Sequence, residues 1–154
     1  MIEKVMSLYL DTSIFGGYFD DVFMQDTRPL FQNIKDGKYI AFISSYVIKE
    51  LKNAPDKVKK LLEDLNFKSL EVSSECENLA DEYINENVVG ETSRDDCLHI
   101  ATATINNIDI LVSWNFKHIV NIQRIKGYNS VNMKKGYKQI EIRNPKEVVI
   151  YGAE

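Results

Sequence analysis

Short apolar runs alternate with longer segments of helical periodicity along most of this chain, and few architectures accept that order. Residues 5–10, Tyr39 to Ile43, Phe67 to Val72, Asp109 to Ser113 and Ile140 to Ile142 have the length and apolar character of strands. Between them, helical patterns cover 19–36, interrupted near Arg28-Pro29 and stopped by Gly37, and 44–53, where Ser44-Ser45 offers a cap before Pro55. Residues 56–65 place Val58, Leu61, Leu62 and Leu65 on one side. Ser73-Ser74 followed by Glu77 is a capping-box pattern opening a helix to about Asn87, and Thr92-Ser93 opens another to about Asn107. Residues 119–135 read as helix with a weak spot at Gly127. Strands alternating with helices predict an α/β fold with a mainly parallel central sheet.

The 154 residues, 44% of them hydrophobic, suit a single domain over 1–154. No apolar run approaches the roughly 18 residues of a membrane span, and MIEKVMSLYL lacks the pattern of a secretory leader, so a cytoplasmic location away from membranes is expected. Cys76 and Cys97 form no CxxC pair and are expected to be reduced, buried thiols. The net charge of −4 is unevenly spread: residues 113–154 carry 8 Lys/Arg against 3 Asp/Glu, while residues 1–112 carry 11 against 20. An acidic body with a basic C-terminal quarter suits an acidic metal site beside a phosphate-gripping rim. Lys117, Arg124, Lys126, Lys134 and Lys135 are the candidate contacts to a phosphate backbone, and Trp114, Phe116 and Tyr128 the candidate stacking rings.

In parallel sheets ligands sit beyond the carboxyl ends of the strands. Asp11 follows the first strand, Glu50 lies in the helix after the second, Asp96 opens the helix before the 109–113 strand, and Ser113 and Asn115 end that strand. Taken singly, each has an ordinary role: Asp11 in Asp-Thr-Ser as a cap, Glu50 as a surface helix residue, Asp96 as the acidic partner of Ser93 in a capping pair, Asn115 as a turn. Taken together, three carboxylates in one place repel each other, and a hard divalent cation such as Mg2+ or Mn2+ relieves the conflict. His99 and His118 stand outside any zinc spacing, and His99 reads as a satisfied core histidine.

Four stretches resemble the PIN domain of VapC-type toxins and RNA-processing nucleases: YLDTSIFGGYFD (9–20), SSYVIKEL (44–51), DDCLHIATA (95–103) and DILVSWNFKHIVN (109–121). The resemblance implies a PIN-like three-layer α/β/α fold and an Mg2+- or Mn2+-dependent endoribonuclease leaving 5′-phosphate and 3′-hydroxyl ends. Asp11, Glu50 and Asp96 match its metal carboxylates and catalytic residues, with Ser13, Ser113 and Asn115 in support. Asn115 stands where the family often has a fourth acid, and supplies a neutral oxygen without adding charge. Gly16-Gly17 is expected to make a tight or left-handed turn beside the site. An antitoxin protein is an implied partner, as is a second copy of the chain meeting exposed Phe15, Tyr18 and Phe19.

Two other readings fit parts of the sequence. An aspartyl-phosphate phosphoryl-transfer domain also places an acid after strand one, but Ser13 stands where the Asp-x-Asp type requires a second aspartate, and Asp20-Asp21 is too distant to serve a receiver. A catalytically weak PIN-like module binding RNA or protein accommodates Asn115 and the acidic total charge.

Overall fold

A computed structural model describes residues 4–152. The chain forms β1 (Met6–Leu10), α1 (Thr12–Gly17), α2 (Met24–Lys35), β2 (Tyr39–Ser44), α3 (Ser45–Glu50), α4 (Asp56–Asp64), β3 (Lys68–Leu70), α5 (Ser74–Asn85), α6 (Arg94–Ile105), β4 (Ile110–Val112), α7 (Ile122–Lys134), β5 (Glu141–Arg143) and α8 (Pro145–Val148). The five strands make one sheet in the order β3-β2-β1-β4-β5, every neighbouring pair parallel. Helix α1 packs against α2 and α4, and α5 against α6 and α7; with the right-handed crossovers general to parallel sheets, this strand order puts the two groups on opposite faces, the three-layer α/β/α arrangement. Central position explains the composition of β1: with helices on both faces, Leu8, Tyr9 and Leu10 are all fully buried. Each such side chain contributes about 1.5–3 kcal/mol. The edge strands β3 and β5 are three residues long and carry Lys68, Glu141 and Arg143, which discourages pairing with another chain.

Most of the expected elements stand where the pattern placed them, with instructive departures. The segment expected as one helix over 19–36 starts later, at Met24. Ahead of it the Asp20 carboxylate accepts the Val22 and Phe23 amides at 2.8 and 3.2 Å, making a turn. The helix is not broken at Arg28-Pro29; it runs through Pro29, which removes only the hydrogen bond to the Gln25 carbonyl. Gly37, at φ +77°, stops it as expected. On α5 the cap is Ser73, whose hydroxyl accepts the Cys76 amide at 3.3 Å, so Glu77 is not the reciprocal partner. A complete capping box occurs instead at α8, between Asn144 and Glu147. Gly127 does not weaken α7; a Cβ there would lie 2.7 Å from Val88 Cγ1, so glycine lets the segment after α5 pack close. Cys76 and Cys97 are free and buried. No helix among the described residues is long and apolar enough to cross a membrane.

The expected turn at Gly16-Gly17 is instead the end of helix α1, and neither glycine has a positive φ. The reason for glycine is space. A Cβ on Gly17 would stand 2.7 Å from both Cδ1 and Nε1 of Trp114, while one on Gly16 would meet nothing within 4 Å. Gly17→Ala is therefore expected to destabilise the chain by about 1–3 kcal/mol through overpacking, and Gly16→Ala to stabilise it by roughly 0.5–1 kcal/mol through helix propensity. Urea unfolding of the two variants checks the pair; equal effects would contradict the packing.

Candidate functional site

Strand order reverses between β1 and β4: from β1 the chain moves outward to β2, and from β4 it moves outward the other way to β5. The crevice at the carboxyl end of that pair is where open α/β sheets bind ligands. Asp11 sits there, the residue after β1, 3% exposed. Its backbone amide extends the ladder to the Val112 carbonyl at 3.3 Å. The Ser13 hydroxyl donates to Oδ1 at 2.6 Å and the Ser113 hydroxyl, from the end of β4, donates to Oδ2 at 2.6 Å. Asp11 occupies the N-cap position of α1 yet makes no side-chain cap bond; its carboxylate faces the crevice hydroxyls instead.

Asp96 joins this network from another element, and Glu50 stands beside it with partners of its own. Glu50 ends α3, a helix begun where Ser44 accepts the Val47 amide at 3.2 Å. Its Oε1 accepts from Thr12 at 2.5 Å and from His99 Nε2 at 2.8 Å. Asp96 lies in the first turn of α6, where Ser93 makes no side-chain cap, so the capping-pair role is not taken up. Instead its Oδ1 accepts from Asn115 Nδ2 at 3.1 Å, and its Oδ2 lies 3.3 Å from His118 Nδ1. Asn115 closes the circuit: its backbone N–H donates to Ser113 Oγ at 2.9 Å. Its side-chain oxygen takes the Lys117 and His118 amides at 3.2 and 3.0 Å, leaving its NH2 for Asp96. Asp11, Ser113, Asn115 and Asp96 thus form one hydrogen-bonded run, and Thr12, next to Asp11, leads on to Glu50.

Burial raises the Asp11 carboxyl above the ordinary aspartate value; nearby His99 and the two serine hydroxyls oppose this, and Asp96 adds to it. Burial also raises Asp96, against His118, His99 and Asn115. Burial pushes Glu50 upward too, but the hydrogen bonds from His99 and Thr12 outweigh it and hold that carboxyl below the usual value. Asp11 is therefore a buried acid and Asp96 a partly buried one, both raised by desolvation, with Asp96 adding to the rise at Asp11. Among the described residues no group of three or more His, Cys, Asp or Glu side chains is placed to hold one ion. The donor set fits a cation that takes one or two carboxylates and keeps several waters, as Mg2+ does.

The basic residues divide. Lys117 and Lys126 are exposed. Lys134 pairs with Glu86 at 3.0 Å and Lys135 with Glu82 at 3.3 Å, tying α7 to α5, and the Arg124 guanidinium donates to the Val88 carbonyl. Of the candidate stacking rings, Tyr128 is fully buried and Trp114 is 9% exposed, its indole donating to Thr27 at 2.9 Å, so both belong to the core. Phe116 is 47% exposed. Phe15, expected at a surface, is fully buried against Phe31 and Phe67, so it offers nothing to a second copy. Sequence reasoning did not assign His99 to Glu50 or His118 to Asp96. Their spacing held a signal: His99 lies one helical turn beyond Asp96, and His118 three residues beyond Asn115.

No family model matches the chain, and no curated protein matches it. Solved structures do. VapBC2 from Rickettsia felis, bound to a DNA fragment from its promoter, is 19% identical with a TM-score of 0.53, covering 90% of this chain and 98% of that one. VapC20 of Mycobacterium tuberculosis, a sarcin-ricin loop cleaving toxin, is 13% identical with a TM-score of 0.57, covering 87% of this chain and 98% of that one. The chain has the PIN-domain fold of these VapC-type structures.

Two aspartates at opposite ends of the β1–β4 pair allow a contrasting test. The Asp11 carboxyl titrates above its unfolded value, so in that window the native state binds more protons than the unfolded chain, and stability falls as pH rises through it. In chelator near neutral pH, Asp11→Asn is expected to raise Tm; a gain of about 1 kcal/mol is roughly 2–4 °C for a chain of this size. Asp109 is the reverse: hydrogen bonds from the Ser7 amide and hydroxyl hold its carboxyl below the ordinary value. Its contribution is present above the unfolded value and lost as pH falls through the native one. Asp109→Asn should lower Tm at neutral pH, and the difference should close in acid. Circular-dichroism melts from pH 3 to 8 read both signs.

Proposed function

We propose that this chain is a ribonuclease that hydrolyses RNA phosphodiester bonds with Mg2+ or Mn2+, and that it is the toxin of a toxin–antitoxin pair. The observation that carries the reading is the run of hydrogen bonds that joins Asp11 and Asp96, from separate elements, at the carboxyl edge of the sheet by its switch point, with Glu50 held beside it through Thr12. The PIN fold adds weight: one structure that shares it is a sarcin-ricin loop cleaving toxin, and another is VapBC2. An antitoxin segment carrying basic side chains is the partner that suits an acidic edge of this kind.

Asp11 and Asp96 would hold the cation, with Glu50 acting at one remove; bound there, it would offset the charge growing on the phosphate. Ser13 and Ser113 fix both oxygens of Asp11, and Asn115 and His118 fix Asp96, so the acids keep their places without a cation. The exposed Lys117 follows the end of β4 by a few residues and is suited to draw in a phosphate. Lys126 extends that attraction along α7, while Arg124, Lys134 and Lys135 reach RNA only by giving up their partners on the α5 side. The attacking water loses its proton to a carboxylate. Asp96 and Glu50 are the two candidates to accept that proton.

Cleavage of a single-stranded RNA in Mn2+ tests the reading. Wild type should yield 5′-phosphate ends, and Asp11→Asn and Asp96→Asn should each cut at least about 100-fold more slowly while melting as folded proteins. RNA binding without cleavage at any Mn2+ concentration would favour a catalytically weak binding module. Trapping of beryllofluoride on Asp11 would favour the phosphoryl-transfer reading.

A further inference from the structure

A line of polar side chains crosses the apolar interior behind the site. Tyr9 of β1 and Ser44 at the end of β2 are fully buried, and His99 on α6 is 3% exposed. The Val47 amide donates to Ser44 Oγ at 3.2 Å, and the Tyr9 hydroxyl oxygen lies 2.7 Å from the same Oγ. The Tyr9 oxygen lies 2.7 Å from His99 Nδ1, and His99 Nε2 lies 2.8 Å from Glu50 Oε1. A carboxylate only accepts, so Nε2 carries the hydrogen. The Tyr46 ring stands edge-on to His99 at 5.6 Å, and its hydroxyl donates to Asp95, the neighbour of Asp96, at 2.5 Å.

Packing alone does not call for this line. An apolar ring would fill the place of His99 without the cost of burying polar groups. Nor is Glu50 placed for the benefit of its helix: it is the last residue of α3, where the helix dipole disfavours a negative charge. With Thr12 as the second donor, both known contacts of Glu50 act on the same oxygen, Oε1.

We propose that His99 is a positioning residue, anchored through Tyr9 to the capping Ser44, whose task is to hold Glu50 at the edge of the site ready for a divalent cation. This rests on the ribonuclease reading for its purpose, though not for its geometry. A fixed Glu50 loses no side-chain freedom when the cation arrives, and outer contacts of this kind are commonly worth about 10–100-fold in metal affinity.

The variants are His99→Phe, which keeps a ring and loses the donor, and His99→Gln, whose amide puts an N–H near the place of Nε2. Calorimetry with Mn2+ alone and the Mn2+ dependence of RNA cleavage are measured on the full chain. His99→Phe should weaken Mn2+ binding roughly 10-fold and shift half-maximal cleavage to correspondingly higher Mn2+, with kcat recovered at saturation; His99→Gln should stay within about threefold of wild type. Wild-type Mn2+ affinity in folded His99→Phe overturns the proposal. So does a kcat that stays low at saturating Mn2+, which would make His99 catalytic. If wild type neither binds Mn2+ nor cuts RNA, the ribonuclease reading fails, and the positioning claim is decided by the Glu50 carboxyl 13C resonance: a shift in His99→Phe reversed in His99→Gln supports it, and no shift overturns it.

Discussion

The hydrogen bond from the Ser113 hydroxyl to Asp11 spans the one seam in this sheet where the chain departs in opposite directions. β1 leads outward to β2 and β4 outward to β5, so no short connection ties the two central strands together. Their parallel ladder is short, from Leu8 opposite Ile110 to Leu10 opposite Val112. Side chains secure it at both ends. At the amino end Ser7 and Asp109 exchange three hydrogen bonds of 2.8–3.1 Å. At the carboxyl end Asp11 takes the hydroxyls of Ser113 and Ser13, and Ser13 in turn accepts the Trp114 amide at 2.9 Å.

The two ends use the same kind of acid to opposite effect. Asp109 lies near the surface, where donors outweigh desolvation and its charge is stabilised. Asp11 is sealed in, and the same number of donors does not offset burial. A sequence selected for stability alone has no reason to keep a second acid, Asp96, within electrostatic reach of the first. The amide at Asn115 fits that arrangement: it donates to Asp96, whereas a carboxylate would repel it. The local conflict concentrates at the switch point, and the surrounding core of Leu8, Leu10, Leu111 and Val112 is wholly apolar and supports it.

Much of this was legible in the residues because it depends on local order. The apolar runs from Met6 and Tyr39 become adjacent central strands because both faces of each are covered. The acids at 11, 50 and 96 were visible as a set because each follows or precedes a strand at its carboxyl end. Other features were hidden because their causes lie across the fold. Nothing near Gly17 in sequence announces Trp114, and nothing near Gly127 announces Val88. Phe15 and Tyr128 carry no mark separating a core ring from a surface one. His99 was read correctly as a satisfied core residue, but one of its partners is a site carboxylate 49 positions away.

By itself the sequence determined the class of fold, the parallel sheet and the capping of α3 and α5, and it marked the acids at 11, 50 and 96 as candidates, because periodicity, turn chemistry and charge are properties of neighbours along the chain. Only the tertiary structure decided how those acids are held: two serines on Asp11, an asparagine and a histidine on Asp96, a threonine and a buried histidine line on Glu50. Hydrogen bonds are short and directional, so their partners are settled by where strand order and helix packing set each side chain, and residues 100 positions apart meet with no trace in their spacing.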